Sequence, residues 1–293
     1  LDTVHPVGTL ATNPWRIDNG LCYGPGIQDM KGGNFVTVEA LRRLALAGIE
    51  TPLPVTVLFT PDEEVGTPST RELIEMEARK NKAVLVPEPA KEQGGATTGR
   101  FAIARFNVRT IGRPSHAGAR LLEGRSAIAA MARKILEIEE MTTEDCTFSV
   151  GVVHAGQWVN CVSSECEAEV LSMAKKQEDL DRGIERMLAH AGEANDVTIE
   201  VTRGVTRPVW EPGDGTMALY GLAKEISGEL GFDLTHQSSG GGSDGNFTGA
   251  LGIATLDSLG VRGQGAHTLE EHIEVSSLDE RARLIAGLLT RIE

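Results

Sequence analysis

Two changes of pattern along the chain constrain its fold more than any single motif does. Up to about residue 99, apolar β-rich runs alternate with helix-periodic segments, predicting a helix over 31–47, a strand over 54–59, a helix over 69–80 and a strand over 83–86. Such alternation predicts a largely parallel sheet covered by helices. The order then becomes strand, helix, strand, strand, helix, strand, over 101–110, 124–140, 147–154, 165–174, 178–191 and 197–202. This βαββαβ order is the ferredoxin-like arrangement, an open antiparallel sheet with two helices on one face. After Pro208 the first pattern resumes, with a helix over 216–230, a glycine turn at 240–242, an apolar segment over 253–256 and a closing helix over 278–292. The predicted fold class is therefore α/β: a mixed, largely parallel sheet with helices on both faces, interrupted by a ferredoxin-like insert. Expected boundaries are 1–98 and 208–293 for the interrupted domain, whose first part is N-terminally incomplete, and 99–207 for the insert.

Bulk properties exclude several classes. A chain of 293 residues is long enough for one large or two ordinary domains. Forty-two acids against 28 bases give a formal charge of -14, and no Lys/Arg cluster interrupts it. That balance argues against a nucleic-acid partner or an anionic membrane surface. Cys22, Cys146, Cys161 and Cys166 lack Cys-x-x-Cys spacing and are too sparse for a disulfide scaffold, so reduced thiols are expected. No apolar stretch reaches the length of a membrane span, and the first residues lack a signal-peptide pattern. Leu1-Asp2-Thr3-Val4 opens as if in mid-strand without an initiating methionine, which reads as a fragment. A cytoplasmic location is the default expectation, with an upstream leader left open.

Four segments carry chemistry-bearing residues at element ends. The run Val55-Thr56-Val57-Leu58-Phe59 stops at Asp62-Glu63-Glu64, and ligands and catalytic groups collect at the carboxyl ends of parallel strands. Of two adjacent glutamates, one can hold a metal ion while its neighbour takes a proton from water. The plainer reading is a solvated turn or a helix start, where the dipole favours acids. Asp29 is bounded by Gly24, Gly26, Gly32 and Gly33; it either caps the following helix or serves a site. Glu88 ends the apolar run Val84-Leu85-Val86 between Pro87 and Pro89, which restrict the backbone beside it. His267 sits in the loop Gly263-Gln264-Gly265-Ala266-His267-Thr268. Together these form an oxygen-and-nitrogen donor set that suits zinc, with manganese or cobalt as substitutes.

In their order, Gly24-Pro25-Gly26-Ile27-Gln28-Asp29-Met30-Lys31-Gly32-Gly33, Asp62-Glu63-Glu64, Glu88-Pro89, Ser115-His116-Ala117-Gly118, Gly240-Gly241-Gly242-Ser243-Asp244 and Ala266-His267 resemble the co-catalytic zinc hydrolases. That family includes glutamate carboxypeptidase of the carboxypeptidase G type, aminoacylase, acetylornithine deacetylase and succinyl-diaminopimelate desuccinylase. The likeness spans the chain and is closest to the glutamate carboxypeptidase branch, extending to Asp2-Thr3-Val4 and the glycine triplet. It implies two zinc ions per subunit bridged by Asp29, with Glu64 and His267 completing one site and Glu88 serving the other. It further implies that Glu63 is the general base, deprotonating a water between the ions and later protonating the leaving amine. Asp2 would orient a metal-binding histidine by its far ring nitrogen. That histidine belongs immediately before Leu1 in the family pattern, so one metal site lacks a ligand in this chain. His5 lies on the wrong side of Asp2 and reads as a loop residue.

The insert matches the family's lid and dimerisation domain, which implies a homodimer. His116 would stabilise the oxyanion across that dimer, although by itself it reads as a surface histidine. Asn160 stands where the family has a lid asparagine near the substrate. Arg207 matches an arginine assigned to the substrate carboxylate, a task suited to its bidentate fork. Leu171-Ser172-Met173 replaces the Asp-x-Arg of the carboxypeptidase branch, which weakens the case for glutamate specificity. The function implied is a zinc-dependent metallohydrolase cleaving an amide next to a free carboxylate, in a C-terminal peptide bond or an N-acyl amino acid. A second enzymatic reading is a deacylase of acetylornithine or succinyl-diaminopimelate type. A reading of another class, favoured only by the missing ligand, is a metal-deficient binding or structural protein.

Overall fold

Burial alternates residue by residue along Ala102–Ile111, with Ala104, Phe106 and Val108 inside and Arg105, Asn107 and Arg109 outside. That period of two belongs to a strand with one wet face. Glu165–Ala174 alternates in the same way and pairs with it antiparallel from Ala102↔Ala174 to Ile111↔Glu165. In the computed structural model, which describes residues 2–293, these strands lie at the middle of a five-stranded sheet. Its order is Cys146–Ala155, Glu165–Ala174, Ala102–Ile111, Val197–Arg207 and Gly192–Ala194. The helices Ala127–Glu139 and Gln177–Leu188 bring Met131, Ile138, Leu180, Ile184 and Met187 onto one core with Phe106, Val108, Phe148 and Val170. Ser126 starts the first of these helices by accepting the N–H of Ala129 at 3.1 Å. These elements make up one compact unit, Phe101–Val209.

The second unit runs up to Arg100 and resumes at Trp210. Its core lies among the helices Gly33–Ala47, Asp214–Leu230 and Val275–Arg291, where Val36, Ala40, Leu219, Ala223, Leu284, Ile285 and Leu288 meet Ala96, Leu256 and Ile273 from strands. Two parallel pairs form here, Ala83–Leu85 with Ala254–Leu256 and Ala96–Arg100 with His236–Ser239. A four-stranded antiparallel sheet, in the order Arg16–Asp18, Leu21–Tyr23, His272–Glu274, Gly263–Gln264, carries the start and end of the chain past each other. No helix among the described residues is long and apolar enough to cross a membrane.

One expected strand is absent. Residues 53–60 form no strand, and Val55, Val57, Leu58 and Phe59 keep 38–48% of their surface exposed. They line a cavity of about 470 Å³ together with Ala83, Val84, Leu85 and Val86. Apolar alternation describes a side-chain surface, whereas a strand exists only where a second backbone takes its N–H and C=O groups. Ala83–Leu85 takes those bonds from Ala254–Leu256. The helix expected over 69–80 is shortened to Arg71–Ala78, because Ser69 and Thr70 bond instead to Asp62.

Phe106 is 1% exposed at the centre of the Phe101–Val209 core. Phe106→Ala should cost about 3–5 kcal/mol by removing the ring and leaving a cavity. Urea denaturation followed by circular dichroism measures this, and a loss below 1 kcal/mol would show that the ring does not organise that core.

Candidate metal centre

The acidic junction is held by the one acid in it that faces inward. Asp62 is 8% exposed, and its carboxylate accepts the Ser69 N–H at 2.8 Å, the Ser69 hydroxyl at 2.6 Å, the Thr70 N–H at 3.2 Å and the Thr70 hydroxyl. Burial works against its charge, but these donors outweigh it and leave the carboxyl below its ordinary pKa. The Asp62 carbonyl accepts the N–H of Thr67 at 2.7 Å and the Glu63 carbonyl that of Gly66 at 2.8 Å, closing the turn. Asp244, from the segment after the glycine triplet, accepts the hydroxyls of Thr67 at 2.5 Å and Thr60 at 3.3 Å. The turn is thus fixed on both sides, and Glu63 and Glu64 project from it half-buried.

Asp29 lies in the turn Ile27–Gly32, just before the helix Gly33–Ala47, with a cis peptide bond to Met30. The cap position of that helix is Gly32, without a side-chain cap bond, so Asp29 is not its cap. The His267 Nε2 stands 3.2 Å from Asp29 Oδ2 and 3.5 Å from Glu64 Oε2. One donor atom from each of Asp29, Glu64 and His267 falls within 4.8 Å of the others. Burial pushes the Asp29 carboxyl up, against the pull of His267. The Glu64 carboxyl is pushed up by burial and then by Asp29. Two crowded carboxylates with an imidazole beside them form a donor set that suits a divalent cation.

Glu88 is 7% exposed, between Pro87 and Pro89 after the strand Ala83–Leu85. Its carbonyl accepts the Gly260 N–H at 2.9 Å. Two glycines allow this approach: a Cβ on Gly33 would lie 1.8 Å from the Pro87 carbonyl oxygen, and one on Gly260 2.4 Å from it. Burial, followed by the charges of Glu63, Asp29 and Asp257, drives the Glu88 carboxyl well up, with Arg100 opposing. Glu88 is near enough to Asp29 and Glu63 for their charges to act on it, yet it stands outside the three-residue set. Behind it, Arg100 Nε donates to Asp257 at 2.7 Å, with both side chains buried. Asp257 also accepts the Ser243 hydroxyl at 2.5 Å and the Ser258 N–H.

Other residues singled out in the sequence fall in different places. Asp2 accepts the Glu64 N–H at 2.9 Å. His116 and Asn160 are neighbours within the Phe101–Val209 unit, where the Ala117 N–H donates to the Asn160 carbonyl at 2.9 Å and His116 bridges to Cys161. The His116 Nδ1 accepts the N–H groups of Gly118 and Ala119, both at 3.1 Å. That assigns its ring proton to Nε2, and the side chain is exposed. Arg207 is 5% exposed on Val197–Arg207, opposite Ile103. His5, read as a loop residue, has its Nε2 2.8 Å from the Glu271 carboxylate. Sequence reasoning gave no role to Asp62, Asp257 or Glu271. Asp257 had a usable signal, an acid at the end of an apolar run; Glu271 had none.

Comparison with known proteins places this arrangement. The profile of peptidase family M20/M25/M40 matches residues 1–291. Carboxypeptidase G2 from Pseudomonas sp. (strain RS-16) is 31% identical over 301 residues, covering 99% of this chain and 71% of that protein. A succinyl-diaminopimelate desuccinylase from Thioalkalivibrio sulfidiphilus is 24% identical over 304 residues, covering 98% of this chain and 80% of that protein. The fold matches the solved structure of an M20 family metallo-carboxypeptidase, Sso-CP2 from Sulfolobus solfataricus, with a TM-score of 0.74 at 15% identity over 97% of this chain and 82% of that one. The chain belongs to peptidase family M20/M25/M40 and is a hydrolase acting on peptide or related amide bonds.

Proposed function

We propose that the protein is a zinc-dependent hydrolase that cleaves an amide next to a free carboxylate, with Glu63 as its proton carrier. The observation that carries this reading is the gathering of Asp29, Glu64 and His267 beside Glu63, on a turn whose direction Asp62 fixes. Asp29, Glu64 and His267 hold one ion in this proposal, and Asp29 with Glu88 holds part of a second site. A bound zinc ion supplies Lewis acidity, polarising the scissile carbonyl and lowering the pKa of water. Glu63 takes the proton of the attacking water and returns it to the leaving amine, so no protein nucleophile is needed.

Within the same proposal, His116 presents its Nε2–H to the developing oxyanion from a homodimer formed through the Phe101–Val209 unit. Its tautomer supports that role, because both backbone donors occupy Nδ1. Asn160 and Arg207 are assigned to the substrate, Arg207 to its free carboxylate. Similarity to carboxypeptidase G2 supports a carboxypeptidase releasing an amino acid such as glutamate. A second reading, deacylation of a succinylated or acetylated amino acid, is supported by the desuccinylase relatives. A panel of dipeptides and N-acyl amino acids, each also made with the terminal carboxylate blocked as an amide, tests both. Turnover of the blocked compounds at the rate of the free acids would refute a carboxylate anchor.

Three outcomes are expected. Glu63→Gln should lower hydrolysis by about 10²–10⁴-fold while zinc content, measured by elemental analysis, stays that of the parent; metal loss would contradict the proton role. His116→Ala should lower kcat by about 10²–10³-fold with KM little changed, and a change confined to KM would move His116 to substrate binding. The raised carboxyls of Asp29, Glu64 and Glu88 retain protons to higher pH than ordinary carboxyls, and zinc must displace those protons. Stabilisation by zinc, read as the shift in Tm, should therefore grow as pH rises through the weakly acidic range; a shift independent of pH there would remove these carboxylates from the ligand set.

A further inference from the structure

The turn that delivers Asp29 is wrapped around a single side chain. Glu271 is fully buried, at 0% exposure, just before the strand His272–Glu274. Its Oε1 accepts the N–H of Gln28 at 2.8 Å and of Asp29 at 2.9 Å. Its Oε2 accepts the N–H of Gly26 at 2.6 Å and lies 2.8 Å from His5 Nε2. The Glu271 carbonyl accepts a fifth donor, the Gly24 N–H, at 3.3 Å. The carboxylate thus accepts three backbone N–H groups of one turn, with the His5 ring nitrogen against its Oε2. Successive backbone N–H groups converging on one anion form a nest, and Gly26 takes the left-handed φ of 68° that lets the chain curl around it.

The same residue fixes the other side of the site. Four positions earlier, His267 stands in a loop closed by Thr268 N–H to the Gly265 carbonyl at 3.0 Å and Glu271 N–H to the Thr268 carbonyl at 3.4 Å. Gln28 Oε1 accepts the Ala266 N–H at 3.2 Å, tying that loop to the Asp29 turn. The position of Asp29 relative to His267 therefore depends on where the Glu271 carboxylate sits.

We infer that Glu271 is the positioning residue of the metal centre: its carboxylate holds the Asp29 turn, and through Gln28 and its own backbone N–H the His267 loop, in the spacing that a cation needs, with the His5 ring nitrogen as a further partner of the carboxylate. This rests on the reading of Asp29, Glu64 and His267 as ligands. Glu271→Gln keeps the size but cannot keep the bonds. An amide NH2 at Oε1 faces two backbone N–H groups, and at Oε2 it faces Gly26 N–H; either orientation sets donor against donor. Exposed Glu270 is the control, since Glu270→Gln removes the same charge without touching the turn.

The test measures zinc affinity of the metal-free full chain by competition with a chromophoric chelator, and the visible absorption of the cobalt-loaded protein. Glu271→Gln should weaken zinc binding by about 10–100-fold and change the cobalt spectrum, while Glu270→Gln leaves both as in the parent. A purely structural role would lower Tm but leave the cobalt spectrum unchanged. If Glu271→Gln does not fold, Glu271→Asp decides: tenfold weaker zinc binding with native circular dichroism supports the inference, and parental affinity overturns it. Parental affinity and spectrum in a folded Glu271→Gln also overturn it. Failure of the parent itself to bind zinc would instead refute the metal reading beneath it.

Discussion

Buried carboxylates that gather N–H and O–H donors are the constraint on which this molecule depends. Asp62, Asp257 and Glu271 are each nearly or fully buried; Asp62 and Glu271 each gather donors from one turn, and Asp257 ties together Arg100, Ser243 and Ser258 from separate segments. Asp62 sets the turn of Glu63 and Glu64, Asp257 stands behind Glu88 with Arg100, and Glu271 holds the turn of Asp29. Leaving such a charge buried without its donors is costly, so these loops cannot relax without exposing an anion to an apolar surround. Rigidity at the site is thereby derived from electrostatics, while the helical core supplies the frame.

That arrangement solves a problem peculiar to acidic sites. In a chain of net charge -14, Asp29, Glu64, Glu88 and Glu63 repel one another, and flexible loops would carry them apart. Donor-rich anchors hold them close despite the repulsion; burial first, and the neighbouring carboxylates second, push the Asp29, Glu64 and Glu88 carboxyls up. Lys91 and Arg100 offset part of it, and burial lowers the Lys91 ammonium below its ordinary value. Under the proposed function, a divalent cation would offset the rest of this repulsion at Asp29, Glu64 and His267.

Much of this was legible in the sequence, and the rest failed for identifiable reasons. The strands expected over 165–174 and 101–110 form, where partners are available along the full length. The same kind of run over 53–60 made no strand, because side-chain pattern names a surface and says nothing about a backbone partner. Asp29, Glu64 and His267 were readable from glycines, a strand-like run and a loop, and they meet in space. Glu271 was invisible: it is one of several acids after His267, and only the folded register of Leu21–Tyr23 against His272–Glu274 brings it under Gly26 and Asp29. Asp2 was readable as an acid near the site, but its partner there is the Glu64 N–H.

The point where the chain leaves this unit and returns to it has its own consequence. Arg100 and Trp210 exchange both backbone hydrogen bonds, at 2.8 and 2.9 Å, and Trp210 is buried against Gly249. Whatever departs at Arg100 must come back beside it, so the excursion is constrained at its two ends alone, a condition a short hairpin loop also meets. The junction is a socket. Such a junction tolerates inserts of different length, while Asp62, Asp257 and Glu271 keep all their partners within the unit that resumes at Trp210.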